Sequence, residues 1–88
     1  DELRDATSKF YSCAPCKAAY KEQVGLILNR TNKITKKKYI DDPTVMAWEL
    51  ANEPRPMRPV ANEDYKKWVA DVAALIKSRA PKQLVAIG

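Results

Sequence analysis

The chain of 88 residues contains no histidine and only two glycines. The missing imidazole excludes Ser-His-Asp and Cys-His nucleophilic chemistry within these residues, and the scarcity of glycine excludes a Gly-rich loop that cradles phosphate. No apolar run approaches the roughly 20 residues of a membrane span, so a membrane is not an expected partner. No signal peptide opens the chain, so an export signal is expected upstream of it. Sixteen Lys and Arg against eleven Asp and Glu give a net charge of +5, a balance that often marks nucleic-acid binders. Its one dense basic stretch, Lys33 to Lys38, lies in a loop without interleaved aromatics and reads as solvated, so nucleic acid is not expected either.

What is present is a globular composition, 45% hydrophobic and 31% charged, too apolar for disorder. A chain of this size buries only about 60 to 65% of its unfolded surface and is marginal unless it is stapled or belongs to a larger body. Residues 1–12 show no sustained period and read as a loop entering a helix. From Pro15, a residue tolerated in a first helical turn, the positions Tyr20, Val24, Ile27, Leu28 and Thr31 recur at steps of three and four. They predict a one-sided helix of roughly 15 to 18 residues. The stretch Asn32 to Pro43 is polar, and Asp-Asp-Pro ends it out of helical conformation. Val45 to Leu50 is apolar except for Glu49 and too short for a helix before Pro54, so it reads as a strand buried on both faces of a parallel sheet.

Arg55 to Ala61 reads as a loop, after which Asn62 is the expected cap of a helix with Glu63 and Asp64 in its first turn. Tyr65, Trp68, Val69, Val72, Leu75 and Ile76 form the clearest helical stripe, which stops before Pro81, and Gln83 to Ile87 is a second short apolar strand. The order helix, strand, helix, strand makes the strand pair parallel, because one helix must cross between them. Two such strands leave both sheet edges and one face bare, so further strands are expected on both sides.

Asn52 and Glu53 stand directly after the first strand, at the carboxyl end where α/β folds build their sites. By residue type alone, Asn-Glu-Pro is equally an ordinary turn. The run Trp48-Glu49-Leu50-Ala51-Asn52-Glu53-Pro54-Arg55 is similar to the fourth-strand motif of glycoside hydrolase family five, within clan A. The stretch Asp41-Asp42-Pro43-Thr44-Val45-Met46-Ala47-Trp48 before it, and Gln83-Leu84-Val85-Ala86-Ile87-Gly88 after the next helix, resemble the endo-β-1,4-mannanase branch of that family. Residues 1–12 match only loosely, as a long loop after the third strand would.

The resemblance implies an α/β architecture: residues 1–88 as a partial (β/α)8 TIM barrel without a second domain, covering about helix 3, strand 4, helix 4 and strand 5. It implies a retaining hydrolysis of internal β-1,4-mannosidic bonds, carried by two carboxylates roughly 5 Å apart. Glu53 matches the general acid/base and Asn52 the residue that hydrogen-bonds the sugar 2-hydroxyl. Arg55 matches a basic residue bordering the cleft, against the alternative of an outer ion pair. The nucleophilic Glu belongs to the seventh strand of a barrel of about 250 residues, outside this chain, which therefore needs the remainder of the barrel. A β-mannan polysaccharide is the implied partner, with no cofactor and no metal, in a secreted or periplasmic location. The alternatives are a cellulase or other β-glucan hydrolase of the same clan, a catalytically silent fragment, or a thiol module. Trp48 is expected in the core, and Glu49, sharing Glu53's parity, is expected to face the barrel interior with a basic partner outside this chain.

Cys13 and Cys16 precede the first helix in a Cys-x-x-Cys spacing. A local disulfide or two unpaired structural thiols is favoured over redox chemistry, because a redox fold would place a strand immediately before the motif. Two cysteines without histidine leave a zinc site half-built. Asn29-Arg30-Thr31 fits a glycosylation sequon, but the helix is expected to run through Asn29, which makes the match one of chance.

Overall fold

A computed structural model describes residues 1–88. The chain forms α1 (Glu2–Lys9), α2 (Ala14–Leu28), β1 (Ala47–Glu49), α3 (Asn62–Arg79) and β2 (Leu84–Ala86), with 3₁₀ turns at Phe10–Ser12, Tyr39–Asp41 and Pro59–Ala61. β1 and β2 pair in parallel, Ala47 opposite Leu84, Trp48 opposite Val85 and Glu49 opposite Ala86. α3 is the crossover between them, as the element order requires.

The reading of residues 1–12 as a loop entering a helix is corrected: residues 2–12 are helical, with Asp1 as the cap. α1 escapes a periodicity test because only Ser8 is buried on it and Leu3 is 74% exposed. Polar contacts hold it instead. Asp1 accepts from the Arg4 amide at 2.9 Å, and Asp5 accepts from Arg58 Nε at 2.8 Å, tying α1 to the loop before α3.

α2 begins with Pro15 in its first turn and ends at Leu28. Tyr20, Val24 and Leu28 pack on the core, whereas Ile27 is 41% exposed and Thr31 lies beyond the helix, bridged antiparallel to Lys38. Asn29 is therefore the C-cap residue and not mid-helix, a second correction. A third concerns Asn62. It is the first residue of α3, and the cap position falls to Ala61 with no side-chain hydrogen bond, because the 3₁₀ turn Pro59–Ala61 already feeds a helical backbone into Asn62. Glu63 and Asp64 at the start of α3, with Lys77 and Arg79 at its end, complement the helix dipole. Lys21 of α2 forms an ion pair with Asp71 of α3.

The strands are covered on one side only. Trp48 and Val85 pack toward the helices, while Glu49, Leu84 and Ala86 are exposed, so burial on both faces does not occur within these residues. No helix is long and apolar enough to cross a membrane.

Cys13 and Cys16 form a disulfide with Cα atoms 5.2 Å apart. Cys13 is the N-cap of α2, and its sulfur accepts from the Cys16 amide at 3.3 Å, so the bridge closes the helix's first turn. The residues before it are helical, not the strand that a thioredoxin-type site requires.

A single buried amide side chain joins the start of the sheet to the rest. Gln83 accepts from Trp48 Nε1 at 2.6 Å and donates to the carbonyls of Tyr39 at 2.7 Å and Asp42 at 3.2 Å. Its own carbonyl accepts from Lys77 Nζ at 2.8 Å. Trp48 is thus a packing residue, half-buried with its indole N–H satisfied inside the fold. Truncation of the Gln83 side chain leaves the Trp48 indole N–H unpaired and takes one donor from each of the Tyr39 and Asp42 carbonyls, which keep the Asp42 and Val45 amides; a buried unsatisfied polar group costs about 1–3 kcal/mol. In the complete protein, Gln83→Ala is expected to lose about 2–3 kcal/mol, read as a lower urea midpoint at unchanged slope.

Candidate active site

β1 ends at Glu49, and the chain then runs through Leu50 and Ala51 into the turn that carries Asn52, Glu53, Pro54 and Arg55. Leu50 and Ala51 continue the pairing with β2: their amides donate to Ala86 O at 3.1 Å and Ile87 O at 3.4 Å. Gly88 closes this end. Its φ of +106° is one that side chains rarely adopt, and a Cβ built there would lie 1.9 Å from the Ala51 carbonyl oxygen. Only glycine allows the second strand to pass so near the residue that precedes Asn52.

Glu53 itself has φ +46°, in the left-handed region. For a residue with a Cβ this conformation costs roughly 1–2 kcal/mol, and such strain persists only where the surroundings over-determine it. Three tyrosine hydroxyls supply the constraint. Tyr20 donates to Leu50 O at 2.6 Å, Tyr11 to Arg55 O at 2.9 Å and Tyr65 to Pro54 O at 3.1 Å. The carbonyls on both sides of Asn52-Glu53 are therefore held from below.

The tyrosines are in turn fixed by an aromatic cluster around Trp68. Tyr11, Tyr20 and Phe10 meet its ring edge-on at centroid distances of 5.3, 5.4 and 5.6 Å, and Tyr65 meets Tyr11 edge-on at 5.1 Å. Each such pair contributes about 0.5–1.5 kcal/mol beyond area burial. Trp68 is 4% exposed, and its indole nitrogen has no acceptor among these residues. Sequence periodicity places Tyr20, Tyr65 and Trp68 in the apolar stripes but misses the hydroxyls' task, and it misses Tyr11 entirely.

Asn52, Glu53 and Arg55 are all exposed, on the rim of an open depression of about 360 Å³ floored by Phe10, Tyr11, Tyr20 and Trp68. Arg55 Nη2 stands 4.0 Å from Glu53 Oε2, with both side chains at least 70% exposed. Pairs so exposed contribute about 0–1 kcal/mol, so the contact orients more than it stabilises. Trp48 is not part of this group. Glu49 is exposed on the bare side of β1 and forms no ion pair within these residues.

At the other end of β1, Asp42 accepts from the Thr44 hydroxyl at 2.7 Å and the Thr44 amide at 2.9 Å. These two bonds, the hydroxyl first, hold its carboxyl below the ordinary range. They fix the turn that leads the chain into β1. Burial pushes the Tyr20 phenol above its usual value of 10.0. Burial does the same for Tyr11, where the neighbouring Tyr65 phenol adds to the effect.

A family model described as GH family 5 beta-mannosidase-like matches residues 1–88. Among curated relatives, mannan endo-1,4-beta-mannosidase 4 of Solanum lycopersicum is 39% identical over 90% of this chain and 20% of its own length. Mannan endo-1,4-beta-mannosidase 1 of Arabidopsis thaliana is 39% identical over 96% of this chain and 20% of its own. Mannan endo-1,4-beta-mannosidase 8 of Oryza sativa subsp. japonica is 38% identical over 96% of this chain and 23% of its own. The chain thus spans about a fifth of the length of these relatives.

The two shifted phenols give a pH dependence with a definite sign. A phenol raised above 10.0 in the folded state keeps its proton after the unfolded chain has lost it. Its stabilising contribution is complete below that value and is lost as pH rises through the folded pKa. In the complete protein the urea midpoint is expected to hold up to about pH 9 and to fall as pH rises beyond about 10. A Tyr11→Phe, Tyr20→Phe variant is expected to start lower and fall less steeply.

Proposed function

The chain belongs to glycoside hydrolase family 5, in its beta-mannosidase-like group, and from that premise we propose that the complete protein hydrolyses internal β-1,4-mannosidic bonds of mannans with retention at the anomeric carbon. The observation that carries the reading is Glu53, held in a left-handed backbone conformation just beyond a parallel strand by tyrosines on both sides. The relatives' names support mannan as the substrate over a β-glucan.

In this reading residues 1–88 are one slice of a (β/α)8 barrel: α2 is helix 3, β1 strand 4, α3 helix 4 and β2 strand 5. Residues 1–12 belong to the long segment after strand 3. Three features support a slice that neighbours complete. Leu84 and Met46 are 60% and 75% exposed along the sheet. Only 10 of 88 residues are buried. The radius of gyration of 14.5 Å exceeds the roughly 12 Å of a compact domain of this length.

Glu53 acts first as an acid, giving its proton to the glycosidic oxygen as that bond breaks. A second Glu, from a strand outside these residues, attacks the anomeric carbon and forms the glycosyl-enzyme. Glu53, now a carboxylate, takes a proton from water as the water displaces the second Glu. Asn52 hydrogen-bonds the sugar 2-hydroxyl, a contact that strengthens as the ring approaches an oxocarbenium ion. Arg55 borders the cleft and, 4.0 Å from Glu53, orients its carboxylate. Glu49 points into the barrel interior toward a basic group on a strand outside these residues. No step draws on a cofactor or metal, and the protein works outside the cell or in the periplasm.

Glu53→Gln in the complete protein is expected to lower turnover on mannan by about 10²- to 10⁴-fold, the usual contribution of a positioned acid/base. Azide is expected to restore part of the activity of Glu53→Ala on substrates with activated leaving groups, with a β-mannosyl azide as product. Unchanged turnover in Glu53→Gln removes Glu53 from the mechanism.

A further inference from the structure

The reading of Asn29-Arg30-Thr31 as a chance match rests on Asn29 lying inside a helix, and the structure removes that ground. α2 ends at Leu28, and Asn29 is its C-cap, with φ −83° and ψ −5°. Asn29, Arg30 and Thr31 are all exposed. The backbone around them is fixed while the side chains are left to solvent. The Arg30 amide donates to Ile27 O at 3.2 Å, the Arg30 carbonyl accepts from the Tyr39 amide at 3.2 Å, and Thr31 bridges to Lys38.

We infer that Asn29 is an N-glycan acceptor, modified with an oligosaccharide carried on a lipid pyrophosphate. The residue between Asn29 and Thr31 is Arg, so the sequon carries no proline at its forbidden position. Nδ2 of Asn29 attacks the anomeric carbon of the donor sugar. A C–N bond forms there, the C–O bond to the pyrophosphate breaks, the lipid pyrophosphate leaves with the electron pair, and the amide nitrogen gives one proton to a base of the transferring enzyme. The Thr31 hydroxyl is the group at the second position that the transferring enzyme recognises.

A second, independent observation points to the same compartment. Cys13 and Cys16 are joined in a disulfide, and disulfides persist in the oxidising lumen of the secretory route. The position also leaves the candidate active site open. Arg30 is bonded to Tyr39, whose carbonyl is held by Gln83 at the start of β2. The sequon therefore lies where the strands begin, and Glu53 lies beyond where β1 ends. A bulky polar glycan on this end projects into solvent.

The inference rests on the proposed secreted location, so its test separates the two. The complete protein is produced in glycosylating eukaryotic cells twice, once behind its own leader and once behind a supplied secretory leader. Secreted protein is treated with peptide N-glycosidase, and the tryptic peptide Glu22 to Arg30 is weighed. With the supplied leader the peptide is expected with Asn29 converted to Asp by glycan release. Asn29→Gln and Thr31→Ala are expected to abolish the glycan, and Thr31→Ser to retain it. A Glu22 to Arg30 peptide that is unmodified before enzyme treatment in secreted, disulfide-bonded protein overturns the inference. Modification behind the supplied leader alone upholds the acceptor site and overturns the location.

Discussion

Three phenolic hydroxyls bonded to three backbone carbonyls set the geometry on which the rest of this structure turns. Tyr20 reaches Leu50 from α2, Tyr65 reaches Pro54 from α3, and Tyr11 reaches Arg55 from the 3₁₀ turn after α1. Each bond contributes about 0.5–1.5 kcal/mol, so the three together suffice to offset the roughly 1–2 kcal/mol that the left-handed backbone of Glu53 costs. The strain at Glu53 and the tyrosines that hold it form one device. Its scaffold is the edge-on aromatic cluster about Trp68, which brings the 3₁₀ turn Phe10–Ser12, α2 and α3 together beneath the end of β1.

The parallel strand pair and the two long helices were legible in the sequence because each is specified locally. The α3 stripe Trp68, Val72, Ile76 is buried at helical spacing, and Pro54 and Pro81 mark breaks that no packing overrides. α1 was not legible, because a cap at Asp1 and a cross-chain pair between Asp5 and Arg58 hold it in place of an apolar face. Helix ends misled for a related reason. Asn62 has a cap's chemistry, but the preceding 3₁₀ turn shifts the helix start past it, and Thr31 continues the α2 period although a bridge to Lys38 has already taken its backbone.

For the site, the motif around Glu53 was visible through its family resemblance, and the structure gathers Asn52, Glu53 and Arg55 on one rim. Its support was not visible. The tyrosine bonds span 44, 30 and 11 residues, so no local pattern announces them, and a tyrosine in an apolar stripe looks the same whether or not its hydroxyl finds a carbonyl. The same holds for Gln83, whose side chain reads as an ordinary polar residue at a strand start yet joins Trp48, Tyr39 and Asp42.

If the hydroxyls position Glu53 as well as stabilise the fold, the turnover of the complete protein carrying Tyr11→Phe, Tyr20→Phe and Tyr65→Phe together, which keeps the rings and removes only the three donors, reports it. The expected result is a protein that still folds, at lower thermal midpoint, with kcat on mannan reduced by about 10-fold or more and KM little changed, as follows when the proposed acid/base is misplaced by a fraction of an ångström. A folded triple variant with undiminished kcat contradicts it.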